Sequence, residues 1–340
     1  MRRLVLLAIL LLLAGVALLE SELARPLRVA GDPPLELEIP PGTRVDAIAD
    51  RLAELGLVRH PAVFKVLLWR RGTGARLKAG RYAIPGGVTI VQIAQLLEKG
   101  ETQRHDVTFP EGKAIADMAV IAAAAGLPGD AFRAAAGDPQ PIVDLDPLAT
   151  DLEGYLFPDT YDIPKGVTAK QVVARMVQRF RGVIVPLQPQ LEASGLTLRQ
   201  VVTLASIVEL ETGRPEERPR IAAVFLNRLR KDMLLQTDPT VIFALKRAGP
   251  YDGNVRKKDL DIDSPYNTYR YAGLPPGPIA SPGRASLTAV LSPAPTDDLY
   301  FVSRNDGSHE FNESLSQHER AVTRYQRLRA QRTPSAAPKK

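Results

Sequence analysis

Two carboxylates, Glu209 and Glu211, close a segment that reads LASIVELET from Leu204 to Thr212. Thr197 can cap a helix start, and Leu198, Val201, Val202, Ala205 and Val208 recur at three-and-four spacing, so the segment is predicted to be an amphipathic helix. Glu209 extends the apolar stripe, with Ser206, Ala205 and Val202 before it on the same face. A carboxyl among small and apolar groups is poorly solvated, which raises its pKa toward what a general acid needs. Glu211 is turned away by about 200°. Its own neighbours, Leu204, Ile207 and Val208, are also apolar, so helix geometry alone leaves both carboxylates open. A Glu placed only to solvate a helix end is the plain alternative.

Strings on either side of this helix stand in an informative order. LEGYLFPDTYDIPKG lies at 152–166, VFLNRLRKDMLLQTDPTVIFAL at 224–245, SPYNTYRYAGLPPGPIASPG at 264–283 and LYFVSRNDGSHEFNESLSQHERAV at 299–322. With ASIVELET, and from about residue 35 to about residue 325, the chain resembles the endolytic murein transglycosylases, the YceG-like family of bacterial cell-wall enzymes. The resemblance implies that the Glu of the ASIVE string is the catalytic residue, which maps onto Glu209 and not Glu211. The sequence departs at Leu210, where the family string commonly has Lys; that change leaves the acid chemistry intact.

Ordinary glycosidases divide their work between two carboxylates. The resemblance implies instead a single acid that protonates the oxygen linking N-acetylmuramic acid to N-acetylglucosamine, then takes the proton of the muramyl C6 hydroxyl as that oxygen closes a 1,6-anhydro end. Gln236, Thr237 and Asp238 stand just before a helix, where backbone N–H groups favour polar or anionic contacts, although Asp238 can equally serve as a cap. Tyr266, Asn267, Thr268 and Tyr269 combine flat faces with hydrogen-bonding groups suited to sugar rings and N-acetyl groups, and such residues can equally pack. His309 sits in a hairpin string with Gly307, Ser308 and Glu310. Tyr155, Pro158, Asp159 and Tyr161 are expected to be structural. Two other functions stay open at this point: a hydrolytic muramidase with Asp238 or Asp159 as second carboxylate, and a noncatalytic protein that binds peptidoglycan or its synthases. There is no HExxH and no clustered His, and neither metal nor cofactor is expected.

A short unit, apolar-Pro-x-Gly, recurs as IPPG at 39–42, IPGG at 84–87, FPEG at 109–112 and IPKG at 163–166, each with a further apolar residue nine positions after the first. It reads as a strand end, a turn and a helix start, reused at irregular spacing. The fold class expected is α+β: an N-terminal membrane helix, a small LysM-like βααβ module, then a mixed α+β catalytic domain. The boundaries are 1–22 for the anchor, 35–100 for the module, 101–150 for a connector, 151–332 for the catalytic domain and 333–340 for a disordered tail. Helices are predicted at about 169–182, 197–211, 216–231, 239–248 and 314–331, with a hairpin through Leu299–Ser303 and Phe311.

Composition limits the rest. Met1-Arg2-Arg3 precede an uncharged apolar run from Leu4 to Leu19 that in helix reaches about 24 Å against a bilayer core of about 30 Å. A signal peptide competes, but no small-residue cleavage pattern follows the run, so a single-pass anchor in the inner membrane is expected, N-terminus cytoplasmic and catalytic domain outside. No cysteine is present, which excludes disulfides, thiolate metal sites and Cys nucleophiles. A net charge of +6 is modest, and the scattered basic residues form no nucleic-acid module. Glycan strands, the membrane and peptidoglycan synthases are the expected partners.

Overall fold

Each of the four apolar-Pro-x-Gly units ends a strand and begins a helix. Strands finish at Ile39, Ile84, Phe109 and Asp162, and helices follow at Val45, Ile90, Ile115 and Ala169. Pro cannot donate to a ladder, and Gly42, Gly87, Gly112 and Gly166 turn the chain at φ values of 80°, 81°, 72° and 93°, where a side chain would be strained. The apolar residue nine positions on, Ile48, Ile93, Met118 or Val172, is at most 3% exposed in every copy.

The computed structural model describes residues 2–100, 106–164 and 166–327. They form two units, 1–105 and 106–340. The first contains α1 (Arg2–Ala24), β1 (Leu35–Ile39), α2 (Val45–Glu54), α3 (Pro61–Arg71), β2 (Gly80–Ile84) and α4 (Ile90–Lys99). β1 and β2 pair antiparallel, and Leu37, Tyr82 and Ile84 bury one face of the ribbon against Leu52, Phe64, Leu68 and Ile93. The capping box of Thr89 and Gln92 starts α4. α1 occupies the place of the expected anchor, where Met1 and several side chains of the apolar run lie outside the described residues. Among the described residues no helix is long and apolar enough to cross a membrane. The end of α1 is tied into this unit by buried Leu23 and by ion pairs of Glu20 with Arg70 (2.7 Å) and Glu22 with Arg59 (3.1 Å).

The second unit opens by repeating this order. β3 (Asp106–Phe109), α5 (Ile115–Ala124), α6 (Gly129–Ala136), β4 (Asp159–Asp162) and α7 (Ala169–Ile184) follow, with β3 antiparallel to β4. Even the register is shared: Ile39 faces Gly80 and Phe109 faces Asp159, in each case four residues before the apolar residue of the next unit. The expected connector at 101–150 is therefore corrected. Residues 101–105 lie outside the described set, and 106–150 belong to the core, where Phe109, Met118, Phe132 and Ile142 pack in one cluster with Tyr155, Phe180 and Val202. The Pro- and Asp-containing run at 138–147 resembles a linker in composition only. Asp146, 3% exposed, accepts from Tyr155 Oη (2.6 Å) and Arg199 Nη1 (2.7 Å), which satisfies the buried carboxylate.

The remaining elements are α8 (Gln188–Ser194), α9 (Leu198–Glu211), α10 (Arg218–Arg230), α11 (Asp238–Ala248), α12 (Arg284–Leu291), a hairpin of β5 (Tyr300–Ser303) and β6 (His309–Asn312), and α13 (Leu315–Val322). A 3-10 turn, Pro215–Glu217, precedes α10 where the sequence predicts helix from 216. Beyond α13 a π-helical turn runs to residue 327; the rest of the predicted helix to 331 and the tail at 333–340 lie outside the described residues.

Candidate active site

Thr197 and Gln200 form a capping box at the start of α9, and every residue from Val201 to Glu209 is buried, so this helix lies inside the second unit. Its last turn carries both carboxylates to different surroundings. Glu209 is 9% exposed, and its Oε1 accepts from Arg218 Nη2 at 2.7 Å. Its Oε2 accepts from Gly283 N (2.9 Å) and Ser286 Oγ (2.8 Å). The FPEG turn closes over the same face: Gly112 N donates to Ser281 O (2.9 Å), and a methyl at Gly112 would sit 3.2 Å from Leu210 and 3.7 Å from Glu209. The expected setting of small and apolar groups around Glu209 is thus corrected. It lies in a closed ion pair whose three donors come from segments distant in sequence.

Glu211 opens the other way, into a cleft of about 540 Å³ that it lines with Arg228, Gln236, Asp238, Tyr269, Tyr300 and His309. Burial pushes its carboxyl pKa up to about 7, against the Thr237 hydroxyl that donates to it. Asp238 adds a like charge that raises it further, while His309 and Arg228 pull it down. A carboxyl that holds its proton near neutrality in the wall of a polar cleft is a candidate general acid.

The YceG-like family model matches residues 37–324. The chain belongs to the YceG-like family. It is similar to the endolytic murein transglycosylase of Bacillus subtilis (strain 168), 31% identical over 332 residues that cover 93% of this chain and 91% of that protein. A second, from Streptococcus pneumoniae serotype 2, is 29% identical over 317 residues, 84% of this chain and 57% of that protein. The crystal structure of a YceG-like protein from Listeria monocytogenes aligns at a TM-score of 0.58 with 31% identity, covering 85% of this chain and 99% of that one.

Within this YceG-like chain the residues singled out by sequence divide into two groups. Gln236, Asp238, Tyr269 and His309 meet at the cleft with Glu211. Gln236 is held at φ 49°, its N–H on Thr268 O at 3.1 Å, and Tyr269 Oη donates to Asp238 at 2.6 Å. Thr237, not Asp238, is the N-cap of α11, and it bridges to Glu211 from a buried position. Tyr266, Asn267 and Thr268 do not reach the cleft. Tyr266 packs on Phe243 (4.9 Å between centroids), Asn267 Nδ2 ties down Leu260 O and Ile262 O, and Thr268 Oγ1 meets Thr240 at 2.9 Å and receives Thr237 N–H. These three brace the loop that presents Tyr269. Asp159, at the start of β4, pairs with Arg179 of α7 at 2.7 Å, away from the cleft lining. Glu217, Arg228, Tyr300 and His318 escaped the sequence reading, because they serve the cleft only through the packing of α10 against the β5–β6 hairpin.

Replacing Glu209 by Ala is expected to destabilise the fold by about 3–5 kcal/mol, since the Arg218 charge, 10% exposed, loses its partner. Glu111 at 3.7 Å recovers part of the loss. Urea denaturation of the variant measures it, and a change below about 1 kcal/mol would show the ion pair to be incidental.

Proposed function

We propose that this chain is an endolytic lytic transglycosylase of peptidoglycan in which Glu211 is the single acid and base. The observation that carries this reading is the Glu211 carboxyl, raised to about 7 and facing a cleft lined by hydroxyls, amides and aromatic faces. The names of its relatives support the reaction class. Glu211 gives its proton to the oxygen joining N-acetylmuramic acid to N-acetylglucosamine, and the bond from C1 to that oxygen breaks. The muramyl C6 oxygen then bonds C1 while its proton returns to Glu211. One 1,6-anhydro end and one free N-acetylglucosamine 4-hydroxyl result, and no water is consumed. Gln236, Asp238, Tyr269 and His309 hold the sugars, with Tyr269 fixed by Asp238 so that its ring stands as a platform. The 35–100 segment, strand-helix-helix-strand in order, acts as a LysM-like glycan holder. The N-terminal helix anchors the chain in the cytoplasmic membrane, where cutting strands beside the synthases that extrude them limits strand length.

Digestion of purified glycan strands followed by mass spectrometry tests the reaction. Anhydro ends, lighter by one water than reducing ends, are expected; reducing ends would show hydrolysis by water instead. The acid form of Glu211 exists below its pKa, so the rate is expected to fall as pH rises through about 7. A rate that stays level from pH 6 to 9 would remove Glu211 from the acid role.

A further inference from the structure

Behind the cleft wall, His309 is backed by a carboxylate, Glu217, that does not itself line the cleft. Glu217, in the 3-10 turn before α10, accepts from the His309 backbone N–H through Oε1 (2.9 Å) and stands 2.7 Å from His309 Nδ1 through Oε2. Thr212, one residue past Glu211, adds a hydroxyl to Glu217 Oε2 at 3.3 Å, so the support of His309 is continuous with the end of α9. Phe301 and Phe311 contact the imidazole edge-on at 5.5 and 6.4 Å and fix its plane. A carboxylate can only accept, which makes Nδ1 the donor toward Glu217 and leaves Nε2 without a hydrogen-bond partner among the described residues. Burial alone would push the Glu217 carboxyl up, but the hydrogen bonds from His309 outweigh it and hold the carboxyl below its usual value.

We propose that Glu217 and His309 form a positioning dyad that sets the protonation of Glu211, so that the cleft acid can both release and recover its proton within one turnover. This rests on the reading of Glu211 as the acid. The charged and titratable groups facing Glu211 are Asp238 from the start of α11, Arg228 from α10, Tyr269 from the loop and His309 from β6; His318 from α13 lines the same cleft. Asp238 and burial drive the Glu211 proton on. His309 and Arg228 favour its departure, and Arg228 is committed to the carbonyls of Leu234, Leu235 and Leu299. His309 is therefore the member of the set whose place beside Glu211 is fixed by a single carboxylate, Glu217. Without the dyad, Glu211 keeps its proton too tightly to pass it to a leaving oxygen.

The test uses the full-length chain in detergent, with purified glycan strands as substrate and rates followed from pH 5 to 9. Glu217→Gln preserves the shape and the acceptor for the His309 backbone N–H, but it removes the charge and turns an amide donor toward Nδ1 in place of the accepting oxygen. His309→Gln removes the imidazole itself. Each is expected to lower kcat about tenfold and to move the alkaline limb up by about one pH unit, the size of shift that one neighbouring charge produces. The double variant should be no worse than either single one, because both act through one element. A lower kcat with an unmoved alkaline limb, or additive losses in the double variant, would overturn the dyad and leave a structural contact. Circular dichroism of each variant accompanies the rates, and Glu217→Gln remains informative if His309→Gln fails to fold. Failure of the Glu211 reading is distinguishable: there Glu211→Gln keeps its activity, whereas failure of the dyad alone leaves Glu211→Gln inactive.

Discussion

Glu211→Gln is expected to fold normally and to lose kcat by a factor of about 10² to 10⁴, the range ascribed to one general acid–base group. Gln keeps the shape and can still accept the Thr237 hydroxyl, yet it has no proton to give at useful acidity. The comparison that matters is Glu209→Gln. Glu209 is closed off by Arg218, Gly283 and Ser286 and takes no part in lining the cleft, so its variant should lose stability first and turnover in the folded fraction far less. Product formation per folded molecule, with the folded fraction read from circular dichroism, separates the two. Reversal of the order, Glu209→Gln inactive and Glu211→Gln active, would return the acid role to the residue that the sequence string alone points to.

A chain that starts near Asp151 is expected not to fold, whereas one that starts at Asp106 should be stable by itself. The first lacks β3, so β4 loses the strand it pairs with, and it lacks Phe109, Met118, Leu127, Phe132 and Ile142 from the core. At about 2–5 kcal/mol each, those five side chains together are worth about 10–25 kcal/mol, as much as or more than the 5–15 kcal/mol that usually holds a domain together. The second retains the whole 106–340 unit. Thermal melts of the two chains decide it; a cooperative transition from the chain starting at 151 would mean that the β3–β4 hairpin is dispensable. The chain starting at 106 then gives a direct measure of how much sacculus binding the 35–100 segment contributes.

Local signals were legible in the chain before any tertiary contact was known. The Pro-x-Gly turns announce themselves because Gly adopts the left-handed φ each requires without strain, and the buried residue nine positions on follows from helix periodicity. Thr197 as a cap, the stripe of α9 and the β5–β6 hairpin are likewise local, set by side chains within a few residues of each other. The family could be read from the order of five strings, because each string records a packed segment of this fold. Tertiary structure alone decided which glutamate faces the cleft. Two residues apart on one helix, Glu209 and Glu211 both have apolar neighbours along the chain, and their difference comes from Arg218, Gly283 and Ser286 on one side and Thr237, Asp238 and His309 on the other. Desolvation and charge act through space over a few ångströms, and those few ångströms are bridged here by residues 9 to 98 positions away in sequence, a separation that no local pattern encodes.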